Sequence, residues 1–188
     1  HGFRPHLGVN AVEDAAKIIS NLDKLNLKEH PDFDTGTVCT LKTEGGYKKY
    51  SVVVPESARF EVNRLLVPGE SIQYTIDDMK RMVDSLELKS EVDVGVKPPM
   101  YEPYICTKDE SLMMILHRAY KTVMEKEPLY EHAYGITNAN IFQGEQGIPC
   151  IHIGPQRGGA HQPNEHVKLE WLPPVSEMYS RIALAYLN

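Results

Sequence analysis

Apolar residues recur at helical spacing over residues 11–25, where Ala11, Ala15, Ile18, Ile19 and Leu22 fall on one face. Asn10 is a suitable N-cap, and Glu13 three residues on gives a capping-box-like start. Residues 37–42 alternate around Val38 and Leu41. Residues 50–54 and 58–67 are β-branched stretches bounded by Gly45-Gly46, Pro55 and Pro68-Gly69, and are expected as strands. The helical period returns over residues 71–88, with Ile72, Ile76, Met79, Met82, Val83 and Leu86 on one face and Ser71 or Thr75 as cap. Residues 91–96 alternate acidic and apolar, the pattern of a strand with one wet face. Helix, strand, strand, helix, strand becomes βαββαβ, the ferredoxin-like arrangement, if one further strand precedes His1. That first strand is expected upstream.

The run Lys97-Pro98-Pro99-Met100-Tyr101-Glu102-Pro103 reads as a linker, because proline fixes its own backbone and restricts the residue before it. It divides the chain into expected domains at residues 1–98 and 99–188. Beyond it the pattern predicts a helix around residues 110–125, strands at 133–135 and 148–153, and a last helix over 172–187. Helices alternating with strands suggest part of a larger α/β sheet. The expected fold class is α/β: an α+β, ferredoxin-like domain lacking its first strand, followed by the C-terminal part of a larger α/β domain.

Bulk properties narrow the function little. The 188 residues carry a net charge of −6, with 41% hydrophobic and 24% charged residues, an ordinary composition for a globular chain. No basic stripe with interleaved aromatics suggests nucleic acid, and no apolar run approaches the ~20 residues of a membrane span. Cys39, Cys106 and Cys150 are odd in number and form no Cys-x-x-Cys pair, so buried free thiols in a cytoplasmic protein are expected.

Candidate chemistry sits at the two ends. Gly158-Gly159-Ala160-His161-Gln162-Pro163-Asn164-Glu165 places a histidine on a glycine-rich loop after the apolar stretch Ile148-Pro149-Cys150-Ile151-His152-Ile153. Neutral imidazole is the commonest metal ligand, and glycine lets backbone approach an ion closely. The chain opens His1-Gly2-Phe3-Arg4-Pro5-His6-Leu7-Gly8-Val9-Asn10-Ala11. Together these stretches resemble the two-metal amidohydrolase superfamily of aminoacylase, carboxypeptidase G, succinyl-diaminopimelate desuccinylase, carnosinase and the aminotripeptidases. In that family His-x-x-x-Pro-x-x-Gly-x-Asn-Ala opens the first helix of a lid domain, and Ala-His-x-Pro-Asn-Glu supplies the last metal ligand.

The resemblance implies the C-terminal half of such an enzyme, with the first domain as the dimerising lid and the second as part of the catalytic domain. His161 would bind one of two divalent ions, expected to be zinc, with Glu165 supporting the site. His1 would reach an active site across a homodimer to hold the oxyanion. Arg64, in Asn63-Arg64-Leu65-Leu66-Val67-Pro68-Gly69-Glu70, would clamp a substrate carboxylate, although its spacing to Pro-Gly-Glu is one residue longer than usual. Thr137 and Asn138, in Gly135-Ile136-Thr137-Asn138-Ala139-Asn140, would line the substrate pocket. Asn138 stands where many members have Asp, and Val52 stands where the family often has the Asn of Asn-x-x-Pro. His6, His30, His117, His132, His152 and His166 match no family role.

The family's His-x-Asp segment, Glu-Glu pair and further acidic ligand are expected upstream of the lid and not in this chain. The implied activity is metal-dependent hydrolysis of an amide next to a free carboxylate, in peptides or N-acyl amino acids, by a metal-bridging hydroxide. The chain alone is expected to be inactive. The rival expectation is a non-catalytic dimerisation or ligand-binding protein of the same descent.

Overall fold

The computed structural model describes residues 1–50, 52–106 and 111–188. The chain forms two compact units, His1–Pro103 and Tyr104–Asn188.

In the first unit α1 spans Ala11–Ile19 and is followed by a 3-10 turn at Leu22–Lys24, so the expected helix over 11–25 breaks at Ser20. Asn10 caps it: its Oδ1 accepts from Val12 N and Glu13 N at 3.1 and 3.3 Å, while its Nδ2 donates to Glu13 Oε1 at 2.9 Å. Two short strands, β1 (Glu29–His30) and β2 (Asp34–Thr35), make a small hairpin. β3 (Thr37–Gly45) and β4 (Ala58–Leu65) pair antiparallel. The register shifts between Thr40 and Lys42, a bulge that leaves Leu41 exposed. α2 (Ile72–Asp84) is capped by Ser71, whose Oγ accepts from Tyr74 N at 3.2 Å. Ile18, Leu22, Leu25, Met82 and Val83 form the core, with Val38, Phe60, Val62 and Met79 packed against it.

Two expected strands are absent from this unit. Residues 91–96 make no ladder, although Val94 packs on the core. The stretch 50–54 is not a strand at its described residues (Ser51 lies outside them). Its carbonyls serve the N-terminal segment instead: Val52 O accepts from Gly2 N at 2.6 Å and Pro55 O from Ala11 N at 3.0 Å.

In the second unit α3 (Ser111–Met124) packs on α4 (Leu172–Leu187). Met113, Leu116 and Ala119 on α3, and Val175 and Met178 on α4, are buried at helical spacing. Glu110, expected to begin α3, lies outside the described residues. Pro173 and Pro174 fall in the first turn of α4, where a missing N–H costs no helical bond. Asn140–Glu145 forms a single π-helical turn. The expected strands at 133–135 and 148–153 do not form. The main chain of the second stretch is tied elsewhere: Ile148 N donates to Phe142 O at 2.8 Å, Cys150 N to Gln143 Oε1 at 2.9 Å, and Ile153 O accepts from the Tyr179 hydroxyl. A hairpin not expected from the pattern, β5 (Arg157–Gly158) with β6 (His166–Val167), closes the glycine-rich loop. The cysteines form no disulfide, and none is buried as expected: Cys39 is exposed and Cys106 and Cys150 are half-buried.

Candidate functional site

The loop carrying His161 is the turn of the β5–β6 hairpin. Gly158 lies at its base beside the exposed His166 ring, and a Cβ there, 2.9 Å from Cε1, would make that ring move aside. Gly159, His161 and Asn164 all take positive φ, of 67°, 60° and 66°. Two of them are not glycine, and such strain concentrates where a loop presents a functional group. Gln162 N donates to Gly159 O at 2.9 Å and Glu165 N to Gln162 O at 3.2 Å, so the turn is internally bonded. Glu165 Oε2 accepts from the main-chain N–H of His161 at 3.3 Å, and its Oε1 lies 4.0 Å from Arg157 Nη1. Glu165 thus supports the loop through the backbone and not through the imidazole. The exposed His161 ring has no hydrogen-bond partner among the described residues.

One free imidazole on a rigid turn fits a contribution of one ligand to a metal. It does not fit a complete site, because zinc takes about four ligands and the described residues hold no group of three or more His, Cys, Asp or Glu able to bind an ion. His30-Pro31-Asp32 does have the His-x-Asp spacing, contrary to the expectation that this chain carries none. It lies in the β1–β2 turn, where His30 Nδ1 accepts from Asp32 N at 3.1 Å.

Thr137 and Asn138 sit on an exposed turn leading into the π-helical segment. Thr137 N donates to Asn140 Oδ1 at 3.0 Å, and Ala139 N to Thr137 Oγ1 at 3.2 Å. Asn138 O accepts from Ile141 N and Phe142 N, both at 3.1 Å, which leaves its carboxamide without a partner among the described residues. Thr137 Oγ1 also lies 2.8 Å from His152 Nε2. Residue chemistry alone gave His152 no role. The signal available was the polar residue between two apolar ones: Ile151 and Ile153 are half-buried and His152 is exposed.

His1 and Arg64 belong to the first unit. His1 is exposed; its Nδ1 accepts from Phe3 N at 3.3 Å and its ring lies 4.9 Å from that of Phe3. Arg64, expected to clamp a substrate carboxylate, is held inside the first unit. Its side chain is 5% exposed, with Nη1 2.7 Å from Asp78 Oδ2 and Nη2 2.9 Å from Glu70 Oε1 and 3.1 Å from Asn26 O. A guanidinium so committed presents no fork to a substrate carboxylate. It instead ties β4, α2 and the turn after Val67 together, with Glu70 Oε2 accepting from Val67 N at 3.0 Å.

Comparison with known proteins follows the same lines. The chain is 26% identical over its whole length to half of the uncharacterized protein YgeY of Escherichia coli. It is 22% identical over 98% of its length to 47% of succinyl-diaminopimelate desuccinylase 1 of Alteromonas mediterranea. Among solved structures it resembles the aminopeptidase PepT of Bacillus cereus (TM-score 0.66, 23% identity, 98% of this chain and 46% of that one). It also resembles the M20 family metallo-carboxypeptidase Sso-CP2 of Sulfolobus solfataricus (TM-score 0.67, 18% identity, 100% and 55%). The chain spans about half the length of the relatives it matches. With residues 5–185 matching the pattern of Peptidase family M20/M25/M40, the chain belongs to that family.

Proposed function

We propose that this chain supplies the lid and the C-terminal ligand loop of a metal-dependent exopeptidase or N-acyl-amino-acid amidohydrolase that works as a homodimer. The observation that carries the reading is the His161 imidazole, held on an internally bonded, positive-φ turn and without a hydrogen-bond partner among the described residues. A bound divalent ion would polarise the scissile carbonyl and activate water. The chain's own residues would do the rest. His161 contributes one ligand and Glu165 keeps its backbone in place. In His1, Nδ1 accepts from Phe3 N, so the neutral ring carries its proton on Nε2. That N–H suits donation to a developing oxyanion. Thr137 and Asn138 orient the substrate. Arg64 holds the lid together from within and takes no substrate. The remaining ligands and the general base would lie outside these 188 residues, so the chain alone would not turn over substrate.

The test is His161→Ala in the full-length protein, read by metal content and by hydrolysis of N-acyl amino acids and dipeptides. Metal content should fall, and hydrolysis should drop by more than about a hundredfold, beyond what loss of a merely supporting contact costs. Unchanged metal content and turnover would remove His161 from the site. A full-length wild type that binds no metal and hydrolyses neither substrate would favour the non-catalytic reading, which the Asn138 substitution for Asp already makes worth testing.

A further inference from the structure

We infer that His152 is a positioning residue that turns the Thr137 hydroxyl into a hydrogen-bond acceptor for substrate, an inference that rests on the reading of the Thr137 loop as a substrate contact. A threonine hydroxyl has one hydrogen and two lone pairs. Ala139 N donates to Thr137 Oγ1 at 3.2 Å and occupies one lone pair. In the Nδ1–H tautomer that we assign to His152, Nε2 is the acceptor and the hydroxyl hydrogen points to it, 2.8 Å away. What remains is a single lone pair. Thr137 can therefore take an N–H from a substrate but cannot give a hydrogen to its carbonyl.

His152 is held where this geometry needs it. Two residues before it, Cys150 N is bonded to Gln143 Oε1 at 2.9 Å, and one residue after it, Ile153 O is bonded to Tyr179 of α4. Ile151 and Ile153 on either side are half-buried while His152 is exposed, and its ring meets the Thr137 turn. The turn itself is fixed by the Asn140 side chain on Thr137 N and by the burial of Ala139, which is 2% exposed. The Thr137 hydroxyl can still rotate, and His152 sets it. As an acceptor at Nε2, neutral His152 carries its proton on Nδ1.

Two arms test this. In the full-length protein, His152→Leu should raise KM about tenfold with kcat changed much less, the pattern for an interaction that holds substrate and transition state alike. His152→Gln, which can place an amide oxygen near the position of Nε2, should restore most of the loss. Equal losses in the Leu and Gln variants, or none in either, would overturn the assignment. The second arm needs no turnover. In nitrogen-15 spectra of the 188-residue chain at neutral pH, His152 should show the Nδ1–H tautomer, and Thr137→Val should shift its Nε2 resonance. An Nε2–H tautomer, or an Nε2 resonance indifferent to Thr137→Val, would refute the pairing. If the wild-type full-length protein hydrolyses no amide, the proposed activity fails while the spectra still decide the role of His152.

Discussion

At Arg64 the chemistry of the side chain and its place in the fold point to different roles. Its guanidinium is 5% exposed and sits between the carboxylates of Glu70 and Asp78, which are themselves buried. Removing one member of a buried ionic group leaves the others uncompensated, which costs more than the group contributes against an apolar substitute. Arg64→Met should therefore destabilise the protein by about 3–5 kcal/mol, read as a fall in the urea midpoint. Neutralising the partners as well, with Glu70→Gln and Asp78→Asn, should recover part of the loss. KM for substrates with free and with blocked carboxylates should move together in any variant that stays folded. A change confined to the free-carboxylate substrates would return the clamp to Arg64. The burial of this residue was legible. Along β4, Phe60, Val62 and Arg64 share one face by the strand's period of two, and the first two pack on the core. The motif drew attention to what an arginine can bind and away from which side of the strand it occupies. For His161 the exposed loop position was legible from Gly158-Gly159-Ala160, while its role as a ligand comes from the resemblance and is a proposal.

Between elements, the joint that secures α1 is Asp14. It is 4% exposed, and its Oδ2 accepts from Lys89 N at 2.9 Å and from Ser90 N and Oγ at 2.8 Å, with Lys17 Nζ 3.2 Å from its other oxygen. Burial alone would push this carboxyl up, but the Ser90 and Lys89 donors and Lys17 together outweigh it and hold the pKa at about 2, below the ordinary 3.8. A carboxyl depressed in the folded state contributes its full stability above its unfolded value and loses it as pH falls through the folded one. About 2 kcal/mol should therefore disappear between roughly pH 4 and pH 2. Asp14→Asn should show lower stability at neutral pH and a flatter acid limb in urea titrations; an acid limb identical to wild type would place the titration elsewhere. The elements themselves were unevenly legible. Helices α1 to α4 satisfy their main chain within a few residues, so local periodicity and Asn10 or Ser71 caps locate them. A strand needs a partner that its own sequence does not name. Residues 91–96 and 148–153 carry strand-like patterns but make no ladder, whereas β5 and β6 have two residues each, too few for any periodicity to show.

For the molecule as a whole, the second unit leaves an unusual amount of apolar surface open. On and before α4, Leu169 is 78% exposed, Leu184 64% and Leu187 82%, and Met114 of α3 is 56% exposed. Ile136, Ile141, Phe142 and Ile148, around the π-helical turn, are exposed as well. Single exposed apolar residues need no explanation, but contiguous ones call for a covering surface. The relatives run to about twice the length matched here, so the covering surface proposed is the part of such a protein that this chain does not match. Both faces of a parallel α/β sheet are normally packed by helices, and α3 and α4 are the sort of helices that cover one. The 188-residue chain should then bind a fluorescent apolar dye strongly and self-associate as its concentration rises, while the full-length protein should do neither. Adding the unmatched half as a separate polypeptide should suppress the dye signal in proportion to complex formed. Dye binding as weak for the 188-residue chain as for the full-length protein would mean that the apolar residues of α3 and α4 await no further sheet.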